Sequence, residues 1–334
     1  MKKTLLLTTA LIGTLSVLSS AQAELKIGAG VKTAWKSMDG LTAGAPARSG
    51  FSQERQIDLS TSGTLNNGLK YAAGFSLEQD GGETGFDGSE GNYVNVSMGN
   101  TTIQLGDDSA PLNGDYNIVP RAGNAMNEEV GGVIGFSQSA GTIKESAGIA
   151  VLQKFDGGAV AINFVPRFGQ SMETADTAIA AASNSKSAYE ISYAGKPVSN
   201  LDVYLGYASA TKDNSDVQDL KTTSIGAAYT MGNVKVGFEK VSYDLLTGVD
   251  QTMLEIGAVM KLSDNVTAGI GKTKSEVTNT SGVDTGIDEK ITYLQIGYNL
   301  GAIGTQLSYV DIDNANNQNA QDAKAVVLKV NTKF

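Results

Sequence analysis

Residues 326–334 read VVLKVNTKF, and the chain stops on the aromatic ring of Phe334. Val326, Leu328, Val330 and Thr332 alternate with Lys329, Asn331 and Lys333, the two-residue period of a strand with one apolar and one polar face. Chain ends fray unless something holds them, so a patterned terminus calls for a pairing partner.

At the other end of the chain, residues 25–35, LKIGAGVKTAW, put Leu25, Ile27, Ala29, Val31 and Trp35 on one face. Lys26, Gly28, Gly30 and Lys32 fall on the other. The same design recurs in LKYAAGFSLE (69–78), LDVYLGYASA (201–210), ITYLQIGYNL (291–300) and further segments, sixteen in all with the last strand. LNNG, DGG, VSN, SDN, two GN pairs and GA separate alternate strands. They are built from residues that tolerate positive φ and make tight turns. The remaining connections, such as DNSDVQD and NANNQNAQD, are longer and polar. Short turns therefore lie at one end of the strands and long loops at the other.

Outward aromatic residues gather near both strand ends: Tyr71, Tyr193, Tyr229, Tyr298 and Phe334 at the short turns, and Trp35, Phe168, Tyr207 and Tyr309 at the long loops. Two such girdles mark a barrel standing in a lipid bilayer. A soluble β-sandwich would fill its inner face with large apolar residues, whereas here that face carries Lys, Glu, Asp, Gln, Asn, Gly and Ser. The predicted fold is all-β: a sixteen-stranded antiparallel transmembrane β-barrel, with the last strand pairing the first to close the sheet.

Composition narrows the chemistry. The 334 residues include no cysteine and no histidine, which removes disulfides, thiolate sites, Ser-His-Asp and Cys-His catalysis and the commonest zinc ligand. Residues 1–23, with Lys2 and Lys3, an apolar run and Ala21-Gln22-Ala23, have the form of a cleaved signal peptide, which leaves residues 24–334 as the barrel domain. The mature chain then holds 23 basic against 35 acidic residues, a balance that argues against nucleic acid as a partner.

Other motifs carry little. Asp311, Asp313 and Asp322 fall at the first, third and twelfth places of an EF-hand-like loop, but Asn316 stands where the sharp turn needs glycine. The adjacent pair Glu128 and Glu129 does not have the facing geometry of two catalytic carboxylates. Gly28 and Gly30 lie within a strand and lack the following helix of a nucleotide-binding loop. No enzymatic activity and no cofactor are expected; non-specific Ca²⁺ or Mg²⁺ contact at the acidic loops stays open.

Residues 91–111, GNYVNVSMGNTTIQLGDDSAP, resemble the Gram-negative general porins, where a hairpin with a tight glycine turn leads through a strand to proline and a long inward-folded loop. Residues 66–79, NNGLKYAAGFSLEQ, are similar to that family's third strand, and Phe334 matches its outer-membrane assembly signal. The resemblance implies a homotrimer in the cell outer membrane of a Gram-negative bacterium, each barrel narrowed by a constriction loop, here about residues 107–146. Asp107, Asp108, Asp115, Glu128 and Glu129, with Glu145, oppose Arg121 and Lys144 in that loop. Where similar porins carry inward arginines, this chain has Gln56 and Gln104, which leaves Lys32 and Lys70 as the wall bases, with Lys26 and Lys329 nearer the short turns.

These residues lead to the expectation of an outer-membrane porin: a water-filled channel for passive diffusion of small hydrophilic solutes and ions, mildly cation-selective. Its surroundings would be outer-membrane lipid and lipopolysaccharide. The alternatives are a substrate-specific channel, with saturable flux, and a plugged structural or adhesive barrel, with none.

Overall fold

The computed structural model describes residues 24–40, 48–80, 87–106, 112, 118–123, 148–166, 185–212, 220–244, 250–278, 286–315 and 322–333. The proposed signal peptide, Phe168, Phe334 and most of the segment 107–146 lie outside the described residues.

Sixteen strands follow one another in chain order. They are β1 (Glu24–Gly40), β2 (Arg48–Thr64), β3 (Lys70–Asp80), β4 (Asp87–Met98), β5 (Thr101–Gly106), β6 (Gly148–Phe155), β7 (Gly158–Val165) and β8 (Ser185–Val198). The chain continues through β9 (Leu201–Lys212), β10 (Leu220–Met231), β11 (Val234–Asp244), β12 (Asp250–Lys261), β13 (Val266–Thr278), β14 (Glu289–Leu300), β15 (Ile303–Asp313) and β16 (Ala323–Lys333). Each pairs antiparallel with its neighbours in sequence, and β16 returns to β1 to close the barrel. The closing register sets Val31 opposite Thr332 and Trp35 opposite Leu328, so the terminal strand is held along its length.

Alternation decides which face each side chain takes. On β14, Leu294 and Ile296 are exposed on the outside while Tyr293 and Gln295 are buried inside. The same parity exposes Leu25 and Ile27 on β1, Phe238 on β11, Leu254 and Ile256 on β12, and Leu307 and Tyr309 on β15. Among the described residues, the exposed large hydrophobics form a band around the outer wall. Such a surface suits hydrocarbon and would be costly in water.

The tight turns use the residues whose conformations they require. Gly68, Gly99, Gly157, Gly232 and Gly301 have positive φ, and Asn200 takes the same left-handed conformation at φ 66° between β8 and β9. At the turn end Phe155 stacks on Tyr193 with ring centroids 6.1 Å apart. At the loop end Tyr189 lies 6.0 Å from Tyr207. Aromatic pairs thus stand at both borders of the apolar band.

Ile296, 55% exposed on the outer face of β14, offers a test of this placement. Ile296→Arg lowers the unfolding free energy in lipid vesicles by about 2–4 kcal/mol if the position faces the middle of the bilayer. Ile296→Leu stays close to the parent. Equal stability of the two variants would put this face in contact with water.

Candidate functional site

The lumen is set by the inward faces, and the wall of β10–β15 carries a band of small residues there. Gly237, Gly257 and Gly271 occupy one pairing row across β11, β12 and β13. Gly226 on β10, Gly269 on β13 and Gly297 on β14 extend the band. Residues 118–123 lie on this floor. A Cβ added to Gly237 would stand 2.8 Å from Pro120 Cδ, and one added to Gly257 would stand 2.7 Å from Val119 Cγ1. Ile118 covers Gly226, and Gly123 sits directly over Gly297. The segment approaches the sheet more closely than any side chain on those glycines would permit.

Apolar packing fills one end of the contact, where Ile118 and Val119 are buried with Tyr204 and Ala228. Hydrogen bonds hold the other. The Ala122 N–H donates to Gln295 Oε1 at 3.2 Å, Gln306 Nε2 donates to the Ala122 carbonyl at 2.6 Å, and the Gly123 N–H donates to Thr267 Oγ1 at 2.8 Å. Side chains of the barrel wall thereby satisfy backbone groups that have no sheet partner of their own.

Between these ends lies an ion pair. Arg121 Nη2 is 2.8 Å from both carboxylate oxygens of Glu255, and Tyr293 donates its hydroxyl to Glu255 Oε1 at 2.8 Å. The Arg121 side chain is 5% exposed and that of Glu255 is fully buried. Two charges removed from water this completely are tolerated only as partners. Tyr293 reaches the carboxylate because Gly271, directly opposite on β13, leaves room for its ring.

The residues picked out from the sequence are distributed as follows. Arg121 is turned into the wall. Asp107, Asp108, Asp115, Glu128 and Glu129 lie outside the described residues. Lys32 points inward from β1 and forms an ion pair with Glu54, its facing partner on β2, and both are buried. Gln56 also faces inward and donates to Asp58 Oδ1 at 2.9 Å, an oxygen that Ser76 Oγ also reaches at 2.7 Å. Gln104 is buried on the inner face of β5, opposite Asn95 and Ala150. Lys70, the first residue of β3, is exposed at the short-turn rim. Lys329 is buried on the inner face of β16. Glu54 and Glu255 were not singled out from the sequence, and they turn Lys32 and Arg121 from bare bases into members of ion pairs.

At the far end of the barrel, Asp322 accepts a hydrogen bond from the Asn314 N–H at 3.1 Å. Among the described residues no group of three or more acidic side chains converges as metal ligands.

The chain has no native cysteine, so one introduced thiol reports on the docked segment. With Val119→Cys alone, a water-soluble maleimide is excluded by the packing that leaves Val119 4% exposed. Adding Arg121→Ala strands the Glu255 charge, a change typically worth about 3–5 kcal/mol, and labelling accelerates more than about tenfold. Unchanged protection would mean that the glycine floor and the three hydrogen bonds hold the segment without the ion pair.

Comparison with known proteins places this architecture. A family model described as Gram-negative porin matches residues 8–320. No curated protein sequence matches the chain. Among solved structures, an anion-selective porin from Comamonas acidovorans superposes with a TM-score of 0.68 at 14% identity, covering 94% of this chain and 100% of that one. OmpT of Vibrio cholerae, an outer-membrane protein folded in vitro and solved in a trimer form, gives 0.68 at 12% identity over 93% and 99%. A multiply substituted Rh. blastica porin gives 0.60 at 14% identity over 93% and 100%. Such identities speak to the fold alone, whereas the family match spans nearly the whole sequence. With its closed sixteen-stranded wall and lipid-facing outer band, the chain belongs to the Gram-negative porin family and is a channel-forming barrel of the outer membrane.

Proposed function

We propose that this porin is a passive diffusion channel for small hydrophilic solutes and ions, with mild preference for cations. The observation that carries the preference is the pairing of the lumen's prominent bases: Lys32 with Glu54 and Arg121 with Glu255. Each pair is neutral to a passing ion, so neither base offsets the acids elsewhere in the lumen. The acids Asp107, Asp108, Asp115, Glu128 and Glu129 then weigh in a segment anchored to the wall through residues 118–123. Charged rings set the sign preference of a wide aqueous pore, and a net negative one favours potassium over chloride. The Comamonas relative is named as anion-selective. At 14% identity its selectivity does not transfer, so the sign here has to come from this chain's own charges.

The segment from about residue 107 to 146 acts in this reading as the size filter, and residues 1–23 are the leader removed on export. Phe334 is the assembly signal. The lipid partners are outer-membrane phospholipid and lipopolysaccharide.

A homotrimer also fits. Arg55 projects outward from β2, below the exposed Phe51, and donates to Gln53 Oε1 at 2.8 Å and Gln79 Oε1 at 3.2 Å. A cation on the lipid face costs up to about 2–4 kcal/mol, depending on depth. Beside this polar cluster the outer surface sinks into a hollow of about 710 Å³, lined by Leu25, Leu59, Thr61, Ala73, Phe75 and Val94 among others. Small side chains such as Ala73 let a neighbouring barrel approach. Covering this sector with a second copy of the chain would take Arg55 away from hydrocarbon. The trimer form of OmpT is the precedent.

Planar-bilayer recordings in a potassium chloride gradient test the selectivity. The reversal potential is expected on the potassium side, and Glu54→Gln, which leaves Lys32 charged without its facing carboxylate, moves it toward chloride. A parent channel already anion-preferring would overturn the reading. The trimer is tested by mass in mild detergent, where Ala73→Trp should shift trimers toward monomers and the parent should open in groups of three conductance steps.

A further inference from the structure

On five strands of the β10–β16 wall, the outward apolar run that starts at the short turns ends on a lysine near the long loops. The runs go from Tyr229 to Lys221 on β10, from Val236 to Lys240 on β11, from Ala268 to Lys272 on β13, from Tyr298 to Lys290 on β14 and from Val330 to Lys324 on β16. In outer-membrane barrels the long loops are extracellular, so this rim lies at the headgroup level of the outer leaflet.

Most of these lysines have acidic neighbours. Lys221 faces Asp244, Lys290 faces Asp313 and Lys324 faces Asp311 across the sheet. Lys274, the next outward residue on β13, forms ion pairs with Glu276 and, at 2.9 Å, with Asp288. Lys240 and Lys272 differ. The cross-strand neighbours of Lys240 are Ile225 and Leu254, and those of Lys272 are Ile256 and Thr292. Both are exposed, and neither forms an ion pair among the described residues.

From Lys240 the pairing row runs through Leu254 to Lys274, and Lys272 lies two residues below on the same strand. Strand spacing and rise place the Cα atoms of Lys240 and Lys272 about 12 Å apart. Phe238, Leu254 and Ile256 are their neighbours on the outward face, an apolar surface over which a lysine stem can extend to hold its ammonium at the border between hydrocarbon and headgroups. Lys274 directly faces Lys290 on β14, but Glu276 and Asp288 pair with the first and Asp313 stands opposite the second, so the uncompensated positive charge here lies on Lys240 and Lys272.

We infer that Lys240 and Lys272 form a binding site on the outer wall for the phosphates of an anionic lipid headgroup in the outer leaflet. Charge complementarity selects the occupant. The paired acids on either side repel a diffuse anionic layer, while the two lysines without acidic neighbours, over an apolar floor, accept a ligand that brings phosphates and acyl chains together. A multiply phosphorylated glycolipid supplies both. This assignment rests on the orientation contained in the channel reading, and it names where on the wall the lipopolysaccharide contact is made.

The test uses the full folded barrel in detergent, titrated with diphosphorylated lipid A and with the same lipid stripped of its phosphates. Each lysine near an anionic surface contributes about 1 kcal/mol, so Lys240→Gln/Lys272→Gln should bind the diphosphorylated form at least about tenfold more weakly than the parent. Lys240→Arg/Lys272→Arg retains binding. The parent binds the dephosphorylated lipid as weakly as the Gln variant, and inorganic phosphate does not displace the headgroup. Equal affinity of parent and Gln variant, indifference to phosphate removal, or displacement by inorganic phosphate would each overturn the site. Conductance measured on the same preparations separates the two readings. A silent parent fails the channel and leaves the lipid titration standing, whereas a changed conductance in the Gln variant would place these lysines in the pore and overturn the assignment.

Discussion

Everything in this barrel depends on a backbone that has no water to bond to. Within a bilayer each peptide N–H and C=O must find a partner inside the protein, and a sheet meets that demand only by closing on itself. The β1–β16 ladder is the closure: eleven residue pairs from Gly30↔Lys333 to Gly40↔Ala323 join the two ends of the chain. The constraint also dictates the patterning. A closed wall has two faces and two solvents, so each strand alternates between residues for hydrocarbon and residues for the lumen.

Closure at sixteen strands leaves a lumen too wide for wall side chains to fill. The protein narrows it from one side by laying residues 118–123 against the wall. That arrangement needs three things together: a floor without side chains, partners for an isolated backbone, and a means of fixing position. Gly237, Gly257 and Gly297 supply the first, Gln295, Gln306 and Thr267 the second, and the Arg121–Glu255–Tyr293 cluster the third. Glycine is a poor strand residue, and its repeated appearance at inward positions of neighbouring strands is intelligible once something packs on it.

The fold was largely legible because alternation is a local signal and the turns carry glycine or asparagine where positive φ is needed. Strand ends were less so. The alternation read from the sequence ends at Trp35, while β1 continues to Gly40. Beyond the aromatic border a strand no longer stands between oil and water, so its faces need not differ. The site was hidden for a different reason. Lys32 and Glu54 belong to strands joined by a long loop, whose length does not set the register, and Arg121 and Glu255 are 134 residues apart. No local pattern links such partners. One signal was present: inward glycines at 226, 237, 257, 271 and 297, where a water-facing wall would carry serine, lysine or glutamine.

The outer wall is as uneven as the inner one. From β10 to β16 the outward apolar runs end in lysines on five strands, whereas β1 to β5 carry a hollow lined in part by Ala73 and the outward Arg55. A barrel surrounded only by lipid would have no reason for this asymmetry, because hydrocarbon makes the same demand at every azimuth. On the trimer reading proposed above, two kinds of neighbour account for it: lipid along the lysine-bordered arc, where acyl chains conform to any apolar surface, and protein along the hollowed arc, where shape must match. The glycine floor and bound segment lie on the inner face of the lysine-bordered arc. On that reading one arc carries both the segment inside and the lysines proposed to hold phosphate outside.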